Sequence, residues 1–362
     1  MFNSAINLIK EIKSFGFDAY IVGGCVRDLL MNGSGNYEDI DIVTNIPLDI
    51  LKIYETADIS KNKKDFDVII VEYEGHKFEV ASFRGENIYE DLKNRDFTIN
   101  ALAQDQNGEI VGHDISKQDI ENKVLRIGLK GEELFNEDPL RILRGLRFAV
   151  KYNLTIEAET LECMRRCMDK LFQVDKHRLY EEFIKGLAIN GKWDRYINLC
   201  IEVGVPLNIP FFALKHHCFK MTPTQRFVYL YRNTPIITLK FLFALPNEVI
   251  KLHTFYNECC MALMFENKTD YEIWKVISKG DWNTVDTMLC LEGMESVAER
   301  GRKIYVRGMD EIHFVSGKEV EELSGLSACK KVGIIMDIAN EILMTCGNMN
   351  HRSLITKVVN MV

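Results

Sequence analysis

Apolar residues recur at three- and four-residue spacing through MFNSAINLIKEIKSFGF, which predicts an amphipathic helix at the start of the chain. The pattern then shortens. DAYIVGG, DIDIVT, FDVIIVEY and KFEVASF are brief runs rich in β-branched and aromatic residues, set apart by glycines and polar clusters, and they read as strands. Residues 1 to about 110 therefore predict one α/β domain on a small sheet. From about residue 115 the helical spacing returns in ISKQDIENKVLRIG, EELFNEDPLRILRGLRFAVKYNL, AETLECMRRCMDKLFQV and HRLYEEFIKGLAI. Strand signals almost vanish from there to the C-terminus, and no repeat or low-complexity linker separates the parts. The expectation is an N-terminal α/β head on a long helical body.

At 362 residues the chain exceeds one ordinary core and has room for two or three domains. A content of 47% hydrophobic and 27% charged residues is ordinary for a soluble protein, and no apolar run approaches the roughly 20 residues that span a bilayer. The N-terminal segment reads as helix rather than secretory signal. None of the ten cysteines forms a C-x-x-C pair, and no histidine cluster sits at ligand spacing near them, so structural zinc is not expected. Scattered reduced thiols fit a cytoplasmic protein. The net charge of −8 argues only weakly against a nucleic-acid partner, because RILRGLRFAVK gathers Arg141, Arg144, Arg147 and Lys151 on one helical stretch.

The chemistry-bearing stretch is AYIVGGCVRDLLMNGSGNYEDIDIVT. Strand alternation puts Asp39 and Asp41 on one face and turns Ile40 and Ile42 to the core. Adjacent carboxylates repel unless a cation lies between them, and Mg²⁺ suits a site that leaves most of its shell to water and phosphate oxygens. Two such ions can activate an attacking hydroxyl and stabilise leaving pyrophosphate. Gly23 and Gly24, just upstream, let backbone N–H groups approach an anion closely. Alone, Asp-x-Asp is usually a solvated strand edge and Gly-Gly a turn; their order and spacing are more specific. Glu79 sits opposite Phe78 and Val80 on its strand, as a third carboxylate near the metals or as an exposed strand residue.

GGCVRDLL, DIDIVT, RDFTINALA and EDPLRILRGLRFA occur together in this order, and VSGKEVEELSGLSACKKVGIIMDIANEIL follows near the C-terminus. The set resembles the class II tRNA nucleotidyltransferase and bacterial poly(A) polymerase family, the CCA-adding enzymes, strongly over residues 19–190 and more moderately over 314–362. The resemblance implies an α+β protein. A nucleotidyltransferase head with a small mixed β-sheet would occupy 1–125, followed by an all-α neck that selects the base (126–190), a helical body (191–310) and a helical tail that binds tRNA (311–362). It implies addition of C and A from CTP and ATP to the 3′ acceptor end of tRNA, release of pyrophosphate, and two Mg²⁺ ions on Asp39 and Asp41. Gly23 and Gly24 would hold the triphosphate, with Arg27 among the nucleotide-binding residues. Arg95 and Asp96 would contact the ribose, and Asn100 would support the nucleotide pocket or simply pack.

Asp138 and Arg141 are three apart, so on a helix they share a face. An Asp accepts from the amino group of cytosine or adenine and an Arg donates to the adjacent ring nitrogen, whereas uracil and guanine set an acceptor against the Asp. The resemblance gives this pair the template role, with Glu137 bracing Arg141. Outside that context such a pair is often a surface ion pair worth under ~1 kcal/mol. Arg144 and Arg147 would meet triphosphate or RNA backbone, or form helix salt bridges. Arg178 and Glu182 match the motif that braces the template helix.

The chain departs from the family pattern in four places, one of them the absence in VGHDISKQDIENK of the family's Gly-Gly before the Asp-Leu of its third motif. Asn94 replaces the first arginine of the Arg-Arg-Asp motif, so one ribose or phosphate contact is missing or supplied elsewhere. His177 stands where Glu is usual. Only GENIYE joins Arg84 to Asp91, where CCA-adding members carry a longer loop; a short one marks members that add CC alone. The rival readings are a CC-adding enzyme, a poly(A) polymerase, and an inert RNA-binding relative. Arg302, Lys303, Tyr305 and Arg307, and likewise Lys215, His216, His217 and Lys220, are open to RNA-backbone contact or to a solvated loop. No His-Asp phosphohydrolase pair is visible in the C-terminal half.

Overall fold

The computed structural model describes residues 1–33, 40–47, 49–53, 56–57, 68–207, 221–264 and 267–362. The chain divides into two compact units, Met1–Ile209 and Pro210–Val362. In the first unit, α1 (Phe2–Ser14) buries Leu8, Ile9 and Ile12, the stripe its spacing predicts, and contacts β1 (Ala19–Val22). There follow α2 (Gly24–Asn32), β2 (Asp41–Thr44), β3 (Thr56–Ala57), β4 (Val68–Tyr73), β5 (His76–Ser82), α3 (Ile88–Lys93), β6 (Leu102–Gln104) and β7 (Ile110–Gly112). The sheet order is β3-β4-β5-β2-β1-β6-β7. Only the β2–β5 pairing is parallel, so the sheet is mixed, as expected. Val22, Val43, Ala101 and Ala103 pack with Ile88 and Leu92 of α3.

The rest of this unit is α4 (Asp114–Glu121), β8 (Val124–Leu125), α5 (Glu133–Glu137), α6 (Leu140–Lys151), β9 (Thr155–Ile156), α7 (Ala158–Cys167), α8 (Lys176–Leu187) and α9 (Trp193–Val203). The parallel β8–β9 pair lies in a stretch that reads as helical in sequence. Lys123 and Asn153, both at positive φ, turn the chain out of α4 and α6 and allow it. α6 is seated closely: a Cβ on Gly145 would lie 2.6 Å from both Phe97 Cζ and Met164 Cε. Phe97 also meets Phe148 edge-on, with centroids 6.1 Å apart. This contact holds the helix carrying Arg141 and Arg144 on the segment carrying Arg95 and Asp96.

The second unit is helical among its described residues: α10 (Pro223–Leu230), α11 (Ile236–Leu242), α12 (Asn247–Met264), α13 (Asp270–Ile277), α14 (Trp282–Leu291), α15 (Glu295–Val306), α16 (Gly317–Ser324), α17 (Lys330–Cys346) and α18 (His351–Val359). Thr222 with Gln225, Thr269 with Glu272 and Ser316 with Glu319 form capping boxes that start α10, α13 and α16. Among the described residues no helix is long and apolar enough to cross a membrane. The GRKIYVRG stretch is mostly helix α15 rather than loop. Arg302 pairs with Asp286 at 2.9 Å and Lys303 with Glu299 at 2.8 Å, so both cations have acidic partners within the chain. Lys215, His216, His217 and Lys220 lie outside the described residues.

Candidate active site

β1 ends at Val22 and the chain turns at Gly23, with φ at +79° where a side chain is strained. A Cβ there would stand 3.2 Å from Arg95 Nη1 and 3.4 Å from Asp41 Oδ2. Glycine thus lets backbone, guanidinium and carboxylate converge, and α2 opens from the same point with its N-terminal N–H groups. In register, Asp41 lies between Val22 of β1 and Glu79 of β5. Ile42, Phe78 and Val80 are buried while Asp41 and Glu79 are exposed, so the two carboxylates stand side by side on one sheet face. Their hard oxygens suit a hard divalent cation. Asp39 lies outside the described residues; among those described, no group of three or more His, Cys, Asp or Glu could hold a metal. The Cys25 thiol nearby is pushed up to about 12, by burial first and then by the charge on Asp41, so it stays neutral.

A cleft of about 860 Å³ joins this sheet face to α6 and α8. Gly23, Gly24, Asp41 and Glu79 line it from the sheet side, Arg84, Arg95, Asp96 and Asn100 from the α3 side, and Asp138, Arg141, Arg144, Arg178 and Glu182 from the helices. Asp91, fully buried, accepts from Arg95 Nη2 at 2.9 Å and from the Arg84 backbone N–H at 3.1 Å. Burial first, then the neighbouring Arg95 guanidinium, pulls Arg84 below its ordinary pKa. Asp96 is held by Arg144 Nε at 2.7 Å and accepts from Asn100 Nδ2 at 2.8 Å. Burial alone would raise its pKa, but Arg144, Asn100 and the Phe97 N–H outweigh it and hold the carboxyl below the usual range.

Asp138 and Arg141 both reach the cleft, but not from one helix face. Pro139 disfavours helical backbone at the residue before it, so Asp138 is extended (φ −144°) between α5 and α6. Its Oδ2 accepts from Arg178 Nη2 at 2.8 Å. Arg141 uses Nη1 to reach Leu134 O at 2.9 Å and Glu137 Oε2 at 3.0 Å.

Two expected nucleotide-binding residues do not line the cleft. Arg27 is buried beneath it, donating to Asn100 Oδ1 at 2.6 Å and to Asp28 Oδ1 at 2.8 Å with its guanidinium over the Tyr152 ring. Arg147 donates to Glu182 Oε1 at 2.7 Å and borders an adjoining recess. Sequence reasoning missed Arg84, whose only signal was its place at the end of a strand carrying Glu79. Asn94, the motif departure, donates from Nδ2 to the Arg84 carbonyl at 2.8 Å, and its own carbonyl accepts from Arg84 Nη1 at 3.3 Å. Asn94 therefore clamps the segment that brings another guanidinium into the cleft.

Residues 19–126 match the poly A polymerase head domain. The chain is 32% identical over 268 residues to a CCA-adding enzyme of Lactobacillus johnsonii, covering 69% of this chain and 66% of that protein. It is 38% identical over 218 residues to a CCA-adding enzyme of Streptococcus mutans, covering 55% and 53%. The matches thus span about half to two thirds of these curated relatives. In fold, 99% of the chain superimposes on 97% of a Bacillus stearothermophilus CCA-adding enzyme solved with CTP, with a TM-score of 0.76 and 23% identity. A Thermotoga maritima CCA-adding enzyme solved with tRNA gives a TM-score of 0.73 at 20% identity, over 99% of this chain and 95% of that one.

Proposed function

This chain belongs to the CCA-adding enzyme and poly(A) polymerase family, and from that premise we propose that it is a cytoplasmic tRNA nucleotidyltransferase that adds C and A from CTP and ATP to the tRNA 3′ end. The 3′ hydroxyl attacks the α-phosphate and pyrophosphate leaves. The observation that carries this reading is one cleft holding both the adjacent Asp41–Glu79 carboxylates and the Asp138–Arg141 pair. Enzymes of this family act with divalent metal ions; two Mg²⁺ held by Asp39 and Asp41, with Glu79 alongside, would neutralise triphosphate charge and activate the hydroxyl.

The chain's own groups supply binding and selection. Arg95, Arg84 and the N–H groups at the start of α2 receive the triphosphate. Arg84 takes over the contact that an arginine at position 94 would make. Asp96 and Asn100 border the ribose, and the buried Arg27 fixes Asn100 from behind. Asp138 accepts from the base amino group, and Arg141, with Nε and Nη2 left as donors, serves the ring nitrogen. Arg178 orients Asp138, Glu137 orients Arg141, and Glu182 with Arg147 ties α8 to α6. Residues 1–125 act as head, 126–190 as base-selecting neck, and 191–310 and 311–362 as body and tail. Asp41→Ala is expected to abolish CMP incorporation while leaving the circular dichroism spectrum and melting temperature near wild type. Near-normal incorporation by that variant would overturn the metal-site assignment.

A second reading, a CC-adding enzyme, is favoured by one observation. The β5–α3 connection is a short ordered turn: Asn87 accepts from the Glu90 N–H at 3.1 Å to cap α3, and Asp91 holds the Arg84 N–H. The resemblance places a longer loop there in CCA-adding members. Failure to add the terminal A to a tRNA ending in CC would select this reading.

A further inference from the structure

α6, α8 and the start of α9 meet around a recess of about 500 Å³, apart from the sheet carboxylates and lined by Arg147, Lys151, Lys185 and Lys192 with Ile189 and Asn190. None of its described lining residues is acidic. Glu182 lies beneath, buried, and partners Arg147 at 2.7 Å and Lys185 at 3.7 Å. Two of the four cations thus share this one carboxylate. The positions are fixed by packing: a Cβ on Gly186 of α8 would fall 2.1 Å from the Tyr196 ring of α9, so the two helices are in direct contact. Lys185 lines both this recess and the active cleft. The recess is thus the cleft's basic continuation along the α6–α8 side.

We propose that this recess holds the phosphodiester backbone of the RNA strand just upstream of the 3′ end that enters the cleft. The inference rests on the nucleotidyltransferase reading, because it takes the RNA terminus to lie at the cleft. Clustered lysines contribute sequence-independent, salt-sensitive affinity through counterion release, and position the strand without reading its bases. An acidic protein acquires RNA affinity this way when its cations share one path.

The test uses the whole chain, a tRNA lacking its CCA end, and the Lys151→Gln/Lys192→Gln double variant; neither lysine lines the active cleft. RNA affinity is measured against salt concentration, and the KM for CTP is measured in the same preparations. The expected result is at least tenfold weaker RNA binding, a log–log salt slope reduced by about 1 per lysine, and an unchanged KM for CTP. Restoration by Lys151→Arg/Lys192→Arg would confirm that charge, not packing, is responsible. Unchanged RNA affinity and slope would overturn the proposal. So would a raised KM for CTP with intact RNA binding, which would make the recess a nucleotide-phosphate site. Absence of CMP incorporation by the wild-type protein would instead overturn the reading on which the proposal rests.

Discussion

Asp138 already accepts from Arg178 and from the Leu140 N–H, and Arg141 is anchored through Nη1. These bonds fix two side chains before either meets a base, so their removal should affect selection more than stability. Arg141→Ala is expected to lower discrimination of CTP over UTP by about tenfold or more, on the order of 1.5–3 kcal/mol for a hydrogen bond to a charged group. Competition assays with the four nucleotides check this, and unchanged discrimination would remove Arg141 from base choice. The depressed Asp96 pKa carries a pH signature. A carboxyl whose folded pKa lies below its unfolded value contributes stability that is fully present above the unfolded value, near 3.8, and is lost as pH falls through the folded value. Asp96→Asn should therefore cost most stability above pH 4 and progressively less in stronger acid, as read by denaturant midpoints; a cost independent of pH would contradict the Arg144 pairing. Strand alternation made Asp41 and Glu79 legible from sequence. Arg27 and Arg147 were less so, because a charged letter does not say whether it is buried: Arg27 is only 5% exposed, within a network that joins α2 to Asn100 and Tyr152.

At the scale of elements, the site depends on α6 lying close to the Phe97 segment and on α3 lying close to the end of β5. Gly145→Ala would force a methyl into Phe97 and Met164 and is expected to destabilise by about 1–3 kcal/mol. An unaltered melting temperature would show that this contact relaxes freely. Asn94→Ala removes the bond to the Arg84 carbonyl and is expected to raise the KM for CTP several-fold with a smaller effect on kcat; an unchanged KM would dismiss the clamp. Long periodic segments such as α1, α6 and α8 were readable because each buries a stripe at 3.6-residue spacing. The two-residue strands β8 and β9 were not, since so short a run has no period and arises from positive-φ turns at Lys123 and Asn153. The same limit applied to Asp138, where helical spacing pointed to a shared face and Pro139 broke the helix.

At the scale of the whole molecule, a net charge of −8 coexists with a cleft that gathers Arg84, Arg95, Arg141 and Arg144 and with the adjoining lysine recess. Overall charge therefore says little about partners here; where the cations sit says more. The family assignment was legible because four motifs occur in order, and three of them bring side chains into the cleft from separate elements of the first unit. The central claim, that this cleft extends tRNA with C and A, is tested most directly on a tRNA lacking its CCA end, with Mg²⁺ and CTP alone, ATP alone, or both. The expected result is two nucleotides with CTP alone and three with both. Arrest after two nucleotides with both present, or no extension in all three reactions, would contradict it.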